Sequence, residues 1–257
     1  MPAMHTFIGL YQDIGPALSL LVLVTFLLAG AVKGVIGLGL PTIAMGLLGL
    51  GLPPAQAAAL LIVPSTVTNL WQLSTGGHLR ALLRRLGSLL LMIFVGTCLG
   101  SLWLGIDSGP WAVHGLGAAL LVYALYGLIG PQLQVAPRHE RWLGPLCGLV
   151  TGVVTAATGV FVMPAVPYLQ SLGLSRDELV QALGLSFTVS TLALAVGLAG
   201  QDALGGQALG ASLLMLAPAL LGMIAGQWLR QRISPVLFKR CFFIGLAVLG
   251  AHLLLNG

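Results

Sequence analysis

Charged residues in this chain are confined to a few places, and the gaps between them decide what it can fold into. No Asp, Glu, Lys or Arg occurs in residues 14–32, 34–79, 86–106, 108–137, 142–175, 179–201, 203–229 or 241–257. A membrane-crossing helix takes about 20 such residues, so the longest of these runs hold two segments each. Only 7% of the chain is charged and 58% is hydrophobic, whereas a soluble domain carries about 25% charged residues. A water-facing surface could not be covered. Soluble enzymes and nucleic-acid binders are excluded, and an all-α, polytopic membrane protein is expected. The net charge of +5 then reports orientation in a bilayer. Cys98, Cys147 and Cys241 lie in apolar surroundings with no CxxC pair. They read as packing thiols, so no metal site and no cofactor is implied. Leu18–Ala31 has the length of a signal-peptide core, but residues 1–32 contain no Lys or Arg to form a positive n-region. The segment is read as a mature helix.

Glycine and proline divide the long runs. A first helix over residues 15–34 frays at Gly37-Leu-Gly39-Leu-Pro41, and a short apolar arm, Thr42–Leu50, stops at Gly51-Leu-Pro53-Pro54. Helices follow over 55–75, 86–106 and 111–130. A second broken hairpin spans 143–171, interrupted around Thr158-Gly159, before helices over 179–200, 207–229 and 236–255. Threading these segments through a bilayer places ten of the eleven basic residues on one face: Arg80, Arg84, Arg85, Arg138, Arg141, Arg176, Arg230, Arg232, Lys239 and Arg240. Asp13, Asp107 and Asp202 fall on the other. By the positive-inside rule the basic loops are cytoplasmic and both termini outside, in a multi-pass protein of the cell membrane.

The two halves resemble each other at an offset of about 122 residues. Leu50-Gly51-Leu52 matches Leu172-Gly173-Leu174, Thr66 and Thr68 match Thr188 and Ser190, Ser88–Met92 matches Ser212–Met215, and Pro41 and Pro164 close the two broken segments. The charge threading runs the second half in the opposite direction to the first. The expected architecture is a bundle of about eight to ten segments built as two inverted repeats, residues 1–135 and 136–257, with broken, hairpin-like helices. This is a common plan of secondary transporters, which bind substrate near the midplane at the repeat interface.

The pattern Gly30-xxx-Lys33-Gly34-xx-Gly37-x-Gly39-x-Pro41, the Gly-Leu-Pro-Pro turn, the helix over Ala57–Thr68 and their second-half echoes resemble the TauE/SafE family of sulfite exporters. The ending Ile233-Ser-Pro-Val-Leu-Phe-Lys-Arg240, followed by an apolar helix, is similar to that family too. The resemblance covers most of the chain and implies transport of sulfite, sulfonates or related sulfur-containing anions.

Lys33 is the sharpest single signal, since it is isolated inside a long uncharged stretch. A Lys at the bilayer centre costs about 2.5–3.5 kcal/mol on translocon scales and usually faces a cavity or partner. No Asp or Glu is expected at membrane depth, so its ammonium is stabilised by a bound anion or sheds its proton. The competing reading is a lysine that snorkels to an interface. The breaks at Gly37, Gly39 and Pro41 and at Thr158, Gly159 and Pro164 free backbone N–H groups, and two half-helix N-termini converging there would favour an anion. Thr155 and Thr158 gain weight from lying inside the second hairpin. Hydroxyl and amide clusters add Ser65, Thr66, Asn69 and Gln72 in the first half and Ser186, Thr188, Ser190 and Thr191 in the second. Ser65, Asn69 and Gln72 share a helix face. These groups either donate to oxyanion oxygens or serve structure, Ser and Thr bonding their own helices and Asn and Gln bridging neighbouring ones. Gly96, Gly100, Gly222 and Gly226 read as close-packing positions.

A secondary carrier of a small sulfur-containing oxyanion, working by alternating access, is therefore expected. An anion channel, or a carrier of another small organic anion, is the alternative. An intramembrane enzyme would need a Ser–His pair, paired intramembrane Asp residues or a zinc motif, and the sequence supplies none, so no enzymatic activity is expected. The expected partners are the small anionic substrate and membrane lipids, with no nucleic acid and with homo-oligomer assembly left open.

Overall fold

The computed structural model describes residues 2–74, 76–104, 110–131 and 133–256, and among them every regular element is a helix. The order is α1 (Pro2–Ile36), α2 (Leu40–Leu48), α3 (Pro54–Ser74), α4 (Leu79–Trp103) and α5 (Pro110–Ile129), then α6 (Pro137–Thr158), α7 (Ala165–Gln170), α8 (Arg176–Ala199), α9 (Gly206–Arg230) and α10 (Pro235–Asn256). Six of these helices contain stretches long and apolar enough to cross a membrane: Gly15–Ile36, Leu79–Trp103, Trp111–Ile129, Arg176–Ala199, Gly206–Arg230 and Val236–Asn256. The chain is a polytopic helical membrane protein. Large apolar side chains such as Leu20, Leu213, Leu221 and Val248 stand on its outer surface, as a lipid-facing surface requires.

Three helices begin earlier than expected: α1 at Pro2 and not at residue 15, α6 at Pro137 and not at residue 143, and α4. The helix expected from residue 86 begins at Leu79, so Arg80, Arg84 and Arg85 lie on a helix and not in a loop. Arg is a good helix former, and Arg85 has a specific partner. Its guanidinium donates from Nε to Glu140 Oε2 at 2.9 Å and from Nη2 to Glu140 Oε1 at 2.7 Å, tying α4 to the first turn of α6. The kink at Gly15, with φ +76°, marks where the apolar part of α1 starts. Asp107, expected on the outer face, lies outside the described residues.

Each half contributes a long helix, a short one and three more long ones, and the two halves interlock. α1 lies along α9 and α4 lies along α6, while α3 crosses α8 and α5 packs on α10. The two long pairs use the same device. A Cβ on Gly30, Gly34, Gly222 or Gly226 would come within 2.0–2.2 Å of a backbone carbonyl oxygen across the α1–α9 contact. A Cβ on Gly96, Gly148 or Gly152 would come within 2.3–2.5 Å of one across α4–α6. Small residues allow such backbone approach in lipid, where dispersion and weak polar contacts hold helices together. Gly34 therefore fixes the backbone next to Lys33 against α9.

Candidate functional site

α1 ends at Ile36, and the chain turns through Gly37 (φ +73°) and Gly39 (φ +101°) into α2. Both angles are left-handed, which glycine adopts without the clash a Cβ would cause. Pro41 sits in the first turn of α2, where its missing N–H costs nothing. At Gly39 a Cβ would also meet Val32 at 2.9 Å and the Phe242 ring at 3.1 Å, so α10 closes over the break.

Four residues before Gly37, Lys33 is only 4% exposed. Its Nζ donates to Thr68 Oγ1 at 3.0 Å and to Asn69 Oδ1 on α3. Thr68 in turn donates to the Pro64 carbonyl at 2.7 Å, so its lone pairs face the ammonium. A turn further along α3, Gln72 Nε2 donates to the Gly37 carbonyl at 3.1 Å, pinning the break to α3. Ser65, Asn69 and Gln72 are all buried, and Asn69 and Gln72 reach the end of α1 through their hydrogen bonds to Lys33 and the Gly37 carbonyl. Among the described residues no carboxylate pairs with Lys33.

α3 tolerates a proline at this depth because another helix repairs the break. Pro64 has no N–H to give the Leu60 carbonyl. Ser212 Oγ of α9 donates to that carbonyl at 2.8 Å and accepts the Val63 N–H at 3.0 Å.

Lys33 lines a cavity of about 610 Å³. Gly37 and Leu38 contribute the broken end of α1, and Thr68, Trp71 and Gln72 the α3 wall. Leu179, Val180, Leu183, Met223 and Phe243 supply apolar walls from α8, α9 and α10. The remaining charges of the lining are Arg176, Arg230 and Lys239, all exposed, with Asp177 as the one carboxylate. Four cations against one carboxylate leave an excess of three positive charges around a passage bounded by apolar walls. Such a cleft focuses its field and concentrates anions.

The other candidates separate into two groups. Thr66 donates to Ile62 O, Thr155 to Thr151 O, Thr158 to Val154 O and Thr188 to Gly184 O, each at 2.7 Å and each within its own helix. The hydroxyls of Ser65, Ser186 and Ser190 are buried and have no hydrogen-bond partner among the described residues. None of these seven residues lines the cavity at Lys33, nor does Gly159, Gly39 or Pro41. Gly159, with φ +70°, packs instead on Met45 of α2, whose sulfur would lie 2.9 Å from an added Cβ. The second half-helix is short, and Thr151 Oγ1 already accepts the Ala165 N–H at its start, at 3.1 Å.

Sequence reasoning placed Arg176 on the basic face and read Arg230 and Lys239 first as topology-setting charges, with gathering anions at the inner mouth as a secondary role. Their convergence on one cavity depends on how α8, α9 and α10 pack, and no local pattern encodes that. Thr151 and Ser212 were missed because their partners are backbone groups released by distant breaks. No group of three His, Cys, Asp or Glu side chains among the described residues could hold a metal ion.

The family model described as "Sulfite exporter TauE/SafE" matches residues 22–253, nearly the whole chain and the whole of this site. Comparison with curated proteins and with solved structures finds no match.

Proposed function

The chain belongs to the sulfite exporter TauE/SafE family, and we propose that it is a secondary carrier that binds a small sulfur-containing oxyanion at Lys33. The observation that carries this reading is a buried lysine ammonium held, among the described residues, by the neutral acceptors Thr68 and Asn69, at a cavity with a cationic rim. Neutral acceptors orient an ammonium without cancelling its charge. The potential is left for a ligand, and a sulfite or sulfonate group supplies both the charge and several acceptor oxygens. Charge-assisted bonds of this kind are roughly twice as strong as neutral ones.

Arg176, Arg230 and Lys239 would draw the anion to the mouth, while Lys33 and the broken end of α1 would receive it. Alternating access between two inverted halves is supported by the common element order of residues 1–135 and 136–257. It is supported further by the way each half exchanges equivalent pairs with the other, α1 with α9 and α4 with α6.

Counterflow in proteoliposomes tests the reading. Vesicles loaded with unlabelled sulfite should transiently accumulate external labelled sulfite above equilibrium, at a saturating rate. With the membrane potential clamped at zero, an anion channel shows no such accumulation. Current without counterflow would replace the carrier by a channel, and neither signal with sulfite or a small sulfonate would overturn the substrate class.

A further inference from the structure

Lys33 is oriented by a chain of hydrogen bonds that does not end in its own half of the protein. Asn69 presents Oδ1 to the Lys33 ammonium, which has protons to give and no lone pair to accept with. The other end of the same amide is therefore Nδ2, and it donates to Thr191 Oγ1 on α8 at 3.3 Å. Thr191 can receive this bond because its own proton is committed elsewhere, to the Phe187 carbonyl at 2.7 Å. Each link fixes the polarity of the next. Thr191 holds the amide by its N–H end, so the carbonyl end faces Lys33. All three side chains are nearly inaccessible, at 1% for Thr191, 0% for Asn69 and 4% for Lys33, so no bulk water substitutes for a missing link.

We propose that Thr191 is a positioning residue for the anion site, setting the direction of the Asn69 amide and through it the placement of the Lys33 ammonium. It does not touch the cavity itself. The proposal rests on the reading of Lys33 as the anion's partner and adds a dependence on the opposite half. The chain crosses from α8 to α3 to α1, and Asn69 and Thr191 stand 122 residues apart, the offset at which the two halves resemble each other. Any sliding of α3 along α8 breaks the weakest and longest of the links first. Asn69 is then free to turn its amide group, and Lys33 loses one of its two acceptors, keeping Thr68. The affinity for the anion is thereby tied to the register of the two halves.

Two measurements test this together. The chain has two lysines, Lys33 and Lys239. In a Lys239→Arg background, which keeps the charge at the mouth, lysine labelled with 13C at Cε gives one side-chain lysine signal, that of Lys33. Thr191→Val should shift this signal and raise the KM for sulfite counterflow about fivefold, the loss of about one hydrogen bond, with little change in maximal rate. Thr191→Ser, which keeps the acceptor, should restore both to within about twofold, since the bond that counts is retained. In a Lys33→Gln background, Thr191→Val should add no further loss.

An unshifted Lys33 signal in folded Thr191→Val, a Ser variant no better than the Val one, or an effect of Thr191→Val that persists in full without Lys33, would each overturn the proposal. If wild type shows no sulfite exchange, the transport reading fails. The Lys33 signal still decides the positioning role in that case.

Discussion

A shift of 122 residues carries Lys33 onto Thr155, Gly37 onto Gly159 and Gln72 onto Leu194, and these positions behave differently in the two broken hairpins. In the first, Lys33 bonds across to α3, Gln72 reaches back to the Gly37 carbonyl, and the break opens on a cationic cavity. In the second, Thr155 donates within its own helix, Leu194 has nothing to donate, and Thr151 satisfies the first N–H of α7. The same backbone device, a left-handed glycine between two helical pieces, opens on a cavity once and is closed with protein groups once. Side-chain chemistry within reach of the break, and not the break itself, makes the difference.

The largest expected effect separates the two halves directly. Lys33→Gln should lower kcat/KM for sulfite counterflow about a hundredfold or more, as removal of one member of a buried charge pair does. Folding should survive it, because a glutamine amide still donates to Thr68 and Asn69. The glycines sharpen the comparison. Gly37→Ala and Gly159→Ala each force a left-handed alanine, which costs about 1–2 kcal/mol. Only Gly159 also presses on Met45, so its variant should show the greater fall in thermal midpoint in nanodiscs, with KM unchanged. Gly37→Ala, whose Cβ would meet Gln72 Nε2 at an ordinary 3.7 Å beside the cavity, should raise KM.

A smaller effect is expected at the mouth. Arg230→Gln should raise KM about two- to threefold at low salt and hardly at all at high salt, because exposed charges are screened. The smallest belongs to the second hairpin. Thr155→Val should change KM less than about twofold, since the lost bond is an intrahelical one of small net worth. A large KM change there would break the comparison and give both halves a share in the site.

Much of the fold was legible because charge gaps and Gly–Pro punctuation act locally. The first break at Gly37–Pro41, the burial of Lys33 and the common face of Asn69 and Gln72 follow from spacing along one helix or one turn. The start of α4 was misread for the same reason: three arginines look like a loop until Glu140 of α6 is known to receive Arg85. What the sequence concealed depends on which helices touch. Ser212 repairing the Pro64 break, Thr191 orienting Asn69, and three rim cations gathered from the ends of α8, α9 and α10 are consequences of packing between halves. Their residue types are ordinary, and no spacing marks them. Thr158 and Gly159 carried as strong a local signal as Gly37, but their surroundings filled with Met45 and a self-bonded hydroxyl.

The central claim, one anion site per chain and on the first half's lysine, is tested most directly by equilibrium binding. Labelled sulfite would be titrated against purified protein in nanodiscs for wild type, Lys33→Gln and Thr155→Val. The account predicts one saturable site per chain in wild type, retained in Thr155→Val and lost in folded Lys33→Gln. Saturable binding that survives Lys33→Gln with unchanged affinity, or that disappears in Thr155→Val, would contradict it.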